Sequence, residues 1–523
     1  MATTAAGVPA HAQARAAPYA WYVLGILFLV YILNFVDRQI ISILAEDLKR
    51  DLGLKDEEIG FLYGTAFGVF YALFGIPLGR LADNWHRVRL MSVGLALWSG
   101  MTALSGLART GGMLVGARIG VGIGEATASP SAYSLISDYF PKKLRATALA
   151  IYSSGLYVGG GLSLFIAGTI VHRWNQTWPQ GGPLGLHGWQ AAFLAVGLPG
   201  LVIALWIATL REPARGASEG LPPPAPHPAP FRAFLEELVT IVPPLTLIGA
   251  ARGGTKALAI NLIALAMIVA VVSGLIHLGE PWPQWSAVGL GVYAVFSWAC
   301  ALKRRDPPAY RLIVANPALL CVIVAYGLNA FVSYAVSLWA APFAMRVLHV
   351  PIESAGGWIG GTLALGGFLG VNLGGVLADR LRRNNPAGRI IMILFGATVP
   401  IPFVVIAFLS LNVTVFVSAL LVASVTASMS LGAAGATIQD LVLPRMRGTA
   451  TGAFFIGTTL LGLAMGPYLA GRISTLTGSL STGVLSLLLA APITIAAGIA
   501  AYRLVPKAEA NREAWAREAG EAI

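Results

Sequence analysis

The chain is a succession of long apolar runs separated by charge, proline or glycine. They fall at roughly 21 to 44, 59 to 81, 90 to 108, 112 to 139, 146 to 171, 189 to 210, 257 to 278, 286 to 302, 316 to 345, 357 to 378, 390 to 410, 412 to 439, 449 to 471 and 482 to 505. Each approaches the ~20 residues that carry a helix across a bilayer. The pattern predicts an all-α membrane protein of about fourteen spans. After the sixth run, Leu221-Pro222-Pro223-Pro224-Ala225-Pro226-His227-Pro228-Ala229-Pro230 can neither continue a helix nor pair as a strand, and reads as a stiff linker. Phe231, Phe234, Leu235, Leu238, Val239 and Val242 then recur at helical spacing opposite Arg232, Glu236 and Glu237, which predicts a helix lying along the membrane surface. The next two runs return the chain to the side it left, so they read as an insertion between two six-helix halves.

Internal repetition supports that division. Gly79-Arg80-Leu81-Ala82-Asp83 returns as Gly375-Val376-Leu377-Ala378-Asp379, and Asp138 with Arg145-Ala146-Thr147-Ala148 returns as Asp440 with Arg447-Gly448-Thr449-Ala450. Both repeats fall on the same side, after the second and fourth run of each half. The expected organisation is a tail at 1–20, a first half at 21–211, a segment at 212–311 with linker, surface helix and two extra spans, a second half at 312–505 and a tail at 506–523. Two parallel six-helix repeats around a central cavity are a transporter architecture.

Composition agrees: 56% of residues are hydrophobic and only 11% charged, with a mean hydropathy of +0.74, which excludes an ordinary soluble domain. The net charge of +12 comes from small clusters between apolar runs, not from one basic face, so it does not predict nucleic-acid binding. Most Lys and Arg sit in the connections at 80–89, 141–145, 211–215, 303–311, 380–389, 445–447 and 503–507; the opposite connections hold Lys49, Arg50, Lys55, Arg109, Arg173, Arg346 and Arg472. The positive-inside rule then predicts cytoplasmic termini and a plasma (inner) membrane location. The first run is longer than a signal-peptide core and lacks an obvious cleavage site. Cys300 and Cys321 have neither disulfide nor metal spacing. There is no Walker loop, HExxH helix or serine-hydrolase elbow, and Gly253-Gly254-Thr255-Lys256 lacks phosphate-loop spacing. The expectation is a monomeric non-enzyme without cofactor or metal, whose partners are the bilayer, protons and a small molecule.

Ionisable groups inside a span are costly and mark function. The first run carries Asn34-Phe35-Val36-Asp37-Arg38 near its end, and the fourth carries Arg118 and Glu125. At 1.5 Å per residue, Asp37 lies roughly 10 Å, Arg118 roughly 9 Å and Glu125 roughly 20 Å from the outer end of its span. Arg118, Gly122 and Glu125 share one helix face. An embedded Glu125 without a fixed partner would take up protons near neutral pH, and Arg118 is expected to pair with Asp37 when Glu125 is protonated. The alternatives are a static ion network for Asp37, Arg38 and Arg118, a protonated packing residue for Glu125, and an Arg38 that snorkels outward. The spans of the second half hold neutral polar groups instead. The expected substrate cavity draws on Asn34, Tyr63 and Tyr152 from the first half and Asn329, Ser333, Tyr334, Ser337 and Thr426 from the second, with one wall ionisable and the other mostly apolar, a shape suited to an amphipathic molecule.

Gly79 to Arg89 and Gly375 to Arg383 resemble the loop signature of the major facilitator superfamily, although Asn84 replaces the usual base and His86 the usual glycine. Arg118-Ile119-Gly120-Val121-Gly122-Ile123-Gly124-Glu125-Ala126 resembles the superfamily's fourth-helix signature, whose arginine is associated with proton coupling. With Asn34 to Arg38 ahead of it, the combination resembles the spinster family of sphingolipid and lysolipid transporters. The resemblance implies a latch between the halves made by Asp83, Arg87, Arg89, Asp138, Arg145, Asp379, Arg380 and Asp440. It also implies a proton-coupled transporter of a lysolipid-like or sphingoid-like substrate, with Asp37, Arg38, Arg118 and Glu125 coupling protons. Gly160 stands where the antiporter signature has proline, so antiport is not implied. The rival readings are a proton symporter of a small organic anion and a non-transporting receptor or scaffold.

Overall fold

A computed structural model describes residues 17–215 and 228–521, which form helices and no strands. The first half comprises α1 (Pro18–Leu52), α2 (Asp56–Asn84), α3 (Arg87–Ser105), α4 (Gly111–Glu125 continued by Ala128–Tyr139), α5 (Lys142–Thr177) and α6 (Gly188–Ala208). Between the halves lie α7 (Pro230–Ile241), α8 (Leu245–Arg252), α9 (Thr255–His277) and α10 (Trp282–Arg305). The second half comprises α11 (Pro317–Arg346), α12 (Ile352–Asn384), α13 (Gly388–Leu409), α14 (Val413–Asp440), α15 (Pro444–Thr477) and α16 (Leu480–Glu518). Thirteen of these are long and apolar enough to cross a membrane. The two pieces of α4 cover the fourth apolar run, 112 to 139, broken between Glu125 and Ala128. The proline-rich linker and the N-terminal tail lie largely outside the described residues.

Local chemistry sets the ends. Thr110, Asn316 and Asn412 each accept a backbone N–H in the first turn of the helix they precede. Gly53 ends α1 with φ +68°, a conformation cheap only for glycine. α7 and α8 meet at 96°; α7 buries Ala233, Leu238 and Ile241 and leaves Arg232 and Glu236 exposed. The expected C-terminal tail is instead helical to Glu518, because α16 runs on through Pro506 and docks under the second half. Arg382 pairs with Glu509, Arg512 donates to the Asp440 carbonyl at 2.7 Å, and Arg311 lies 4.9 Å over Trp515.

Two seams join the halves. In one, α5 meets α12 through Gly161 against Gly360 and Gly168 against Gly356, where a Cβ would strike the opposing backbone. In the other, α2 meets α15 where each contains a π turn, Phe61–Thr65 and Thr459–Leu463, and Gly60 and Gly64 lie against the Pro467 and Leu463 carbonyls. α10 covers this second seam: Gly291 faces both Leu460 and Val69, and Gln284 accepts from Thr65 at 2.7 Å. Between the halves lies a cavity of about 1830 Å³.

Candidate functional site

The cavity is open at the end that carries Arg80, Asp83, Arg145, Arg305, Arg445 and Arg447 on its lining. The opposite end is closed by contacts from half to half. Arg346 of α11 holds Asp56 with two bonds of 2.8 Å and Glu46 at 2.6 Å, and Arg472 of α15 reaches Glu57 at 2.8 Å; within the first half, Lys49 adds to the Asp56 cluster at 2.6 Å. Beneath that layer, Tyr63 donates to Gln39 at 2.8 Å, Gln39 to the Ser337 hydroxyl at 2.8 Å, and Ser42 to the Leu338 carbonyl at 2.6 Å.

At the closed end of the cavity α1 divides its charges. Consecutive residues on a helix point about 100° apart, so Arg38 faces the cavity while Asp37 faces the bundle. The Arg38 guanidinium lies 4.9, 4.6 and 4.5 Å from the rings of Phe35, Phe67 and Tyr71, and its Nε donates to Glu125 Oε2 at 2.6 Å. The Arg38 side chain is 16% exposed and that of Glu125 0%. Behind them, Arg118 donates to the Asp37 carbonyl at 3.0 Å and to the Leu62 carbonyl, in the π turn of α2, at 3.4 Å. Asn34 stands beside Glu125, and Trp98 and Thr102 beside the Asp37 carboxylate.

This arrangement corrects one expectation. Glu125 has a fixed partner, Arg38, which neither snorkels nor pairs elsewhere, because three aromatic faces hold it across the gap to α4. With Glu125 paired to Arg38, Arg118 holds the backbone of α1 and not the Asp37 carboxylate, and the pairing expected when Glu125 is protonated belongs to a different state. One oxygen each of Asp37 and Glu125, and one Arg118 nitrogen, are buried without a hydrogen-bond partner among the described residues. Buried polar groups are rarely left so. The network is under-satisfied and has room to rearrange.

Of the expected cavity residues, Tyr63, Asn329, Ser333, Tyr334 and Ser337 line it, and Asn34, Tyr152 and Thr426 do not. Asn34 is buried, Tyr152 stacks on Tyr31 at 4.3 Å behind the wall, and Thr426 turns its hydroxyl back to the Val422 carbonyl at 2.7 Å. The wall is more aromatic than expected, with Tyr31, Phe35, Phe67, Tyr71, Tyr157 and Tyr326 on it. The signal was legible: Tyr31 and Phe35, and Tyr63, Phe67 and Tyr71, recur at i, i+4, which places each set on one helix face.

The repeated loop charges pair inside their own half. Buried Arg87 binds Asp138, Glu212 at 2.7 Å and the Pro213 carbonyl at 2.8 Å. In the same half Arg145 donates to the Ser137 carbonyl at 2.9 Å, and in the second half Arg389 binds Asp440 and, at 3.0 Å, Asp379. Asp83, Arg89 and Arg380 are exposed. The expected latch between halves is therefore two latches within halves in this open state. Glu212 and Arg389, absent from the expected set, complete them. A model of the Major Facilitator Superfamily matches residues 27–467.

The chain belongs to that superfamily. Within it the chain is spinster-like. It is 25% identical over 471 residues to protein spinster homolog 1 of Homo sapiens, covering 86% of this chain and 72% of that one. It is 26% identical over 464 residues to an MFS-type efflux pump of Mycolicibacterium smegmatis, covering 89% and 86%. Among solved structures, a bacterial homolog to the human lysosomal transporter spinster, in an inward-facing and unoccupied conformation, superposes with a TM-score of 0.68 at 26% identity, covering 95% of this chain and 99% of that one.

Proposed function

We propose that this superfamily member is a proton-coupled secondary transporter that moves a lysolipid-like or sphingoid-like substrate by alternating access. It works as a monomer in the plasma membrane with both termini cytoplasmic, which makes the state described here open to the cytoplasm. The observation that carries the reading is the position of Arg38, whose guanidinium belongs to the cavity wall and to the buried carboxylate site at once. An anionic headgroup entering the cavity competes with Glu125 for Arg38. Once released, Glu125 is a buried carboxylate without its cation, and it takes a proton. Arg118 then holds α1 through the Asp37 backbone while Asp37 serves as the second proton site. The substrate tail lies against the aromatic face of α1 and α2 and the neutral wall of the second half. A small organic anion would use Arg38 equally well but would leave most of the aromatic wall uncovered.

Flux in proteoliposomes with an imposed pH gradient tests the reading, using a fluorescent lysophospholipid and a short hydroxycarboxylate in parallel. The expected outcome is gradient-driven movement of the lysophospholipid alone, abolished by Asp37→Asn and by Glu125→Gln in folded protein. Wild-type rates in either variant remove that residue from the mechanism, and flux of the hydroxycarboxylate alone favours the small-anion reading.

A further inference from the structure

Beside the mouth of the central cavity, α7, α8 and α10 enclose a second cavity of about 220 Å³. Thr246, Gly249 and Gly253, spaced three and four apart, turn one face of α8 and its end into this space. A Cβ on Gly249 would strike the Val239 carbonyl, so this glycine is needed for the close fit of α8 on α7, and Gly253 leaves room for the Arg304 guanidinium to lie against the end of α8. Arg252, Arg304 and Arg305 all line the cavity. Arg305 reaches Glu237 at 3.5 Å, the acid that faces this corner, whereas Arg252 and Arg304 have no ion pair among the described residues. Thr246 borders the cavity and is 0% exposed, and its hydroxyl has no hydrogen-bond partner among the described residues.

Two deficits meet here: cations short of counter-charge and a buried hydroxyl short of a partner. A group with several anionic oxygens corrects both, since guanidinium forks bind phosphate oxygens in pairs and the hydroxyl takes another. The neighbouring α9 has only 11% of its most apolar stretch buried and so faces lipid, while Arg252, Arg304 and Arg305 stand exposed at the ends of their helices; the site therefore lies at the membrane surface, where the most available phosphate is attached to acyl chains. The geometry points to a headgroup site for an anionic phospholipid on the inserted segment, held by Arg252, Arg304, Arg305 and Thr246. It is distinct from the substrate cavity but shares Thr240, Ala301 and Arg305 with its wall. A bound headgroup draws Arg305 away from Glu237 at the cavity mouth.

The test is native mass spectrometry of the full chain in neutral detergent, titrated with short-chain phosphatidylglycerol and separately with inorganic phosphate. Wild type is expected to retain one phosphatidylglycerol that inorganic phosphate displaces only at far higher concentration. Arg252→Gln with Arg304→Gln, at exposed positions where folding is not at stake, weakens that binding at least about tenfold. Thr246→Val, which keeps shape and removes the hydroxyl, weakens it about threefold or more. Unchanged lipid affinity in the double arginine variant overturns the site, and inorganic phosphate binding as tightly as the lipid overturns its assignment to lipid.

Discussion

At the end around Arg346 the ion pairs run from one half to the other, joining α11 to α1 and α2 and α15 to α2. At the end around Arg87 they stay inside one half, joining α3 to α4 and to the segment after α6, and Arg389 does the same in the second half. The groups are the same and their connectivity differs. Pairs within a half can persist through a rocking motion and keep that half rigid, while pairs between halves must break when their end opens and so bias the state. The burial follows the role: the Arg87 side chain is 0% exposed and that of Arg346 28%.

The largest effect is expected from Arg87→Ala. It leaves Asp138 and Glu212 facing an empty site, at a cost of about 3 to 5 kcal/mol for breaking a buried network. Thermal unfolding in detergent should show a large loss of stability, while spin-label distances between the halves keep the wild-type distribution; a shift in that distribution would mean that Arg87 acts between halves.

Arg346→Ala should do the opposite, with modest loss of stability and a change of state. Freed of its bonds to Asp56 and Glu46, the closed end loses about 2 kcal/mol of bias, a change of roughly thirtyfold in the ratio of states. Labels placed on the two halves at that end should separate, and an unchanged distance would show that the remaining contacts, Arg472 with Glu57 and Gln39 and Ser42 with α11, keep it shut without Arg346.

Gln284→Leu is a finer probe, because this amide on α10 touches Thr65 of the first half and, at 3.4 Å, the Ala464 carbonyl of the second. Losing these contacts costs about 1 kcal/mol. If α10 braces the seam, the same label distances broaden; if it rides on one half, only the melting temperature falls.

The smallest effect concerns Glu280, in the loop between α9 and α10. Its partial burial raises its pKa, but hydrogen bonds from Trp285 and Tyr468 and the charge of Arg472 outweigh that and leave it below 4.5. A depressed folded pKa gives stability that is present above the unfolded value and lost as pH falls through the folded one. The contact with Arg472 should thus be constant from about pH 5 to 8 and weaken only below about pH 4. Glu280→Gln should remove that acid limb from the stability profile and leave the neutral region flat.

Much of the site was legible because embedded charge is rare. Asp37, Arg38, Arg118 and Glu125 stand out in apolar runs, and the structure gathers all four. Their partnership was not legible: depth along a helix gives one coordinate, whereas pairing also depends on helix rotation and on the aromatic faces that steer Arg38 toward Glu125. The same missing rotation put Asn34, Tyr152 and Thr426 in the expected cavity and left Tyr31, Phe67 and Tyr71 out. Glu212 and Arg389 were passed over because a charge near a span end satisfies the orientation rule whether or not it has a partner.

By itself the sequence determined the membrane class, the number of spans, the two repeated halves and the superfamily, because apolar length, charge bias and repeated motifs are properties of position along one chain. The tertiary structure alone decided which end is shut, that the loop charges pair within halves in this state, that α16 continues past Pro506 to dock beneath its own half, and that Arg38 stands between the cavity and Glu125. Those outcomes depend on how helices are rotated and tilted against one another. A change of one residue turns a side chain by about 100°, and no pattern of hydropathy along the chain fixes that angle.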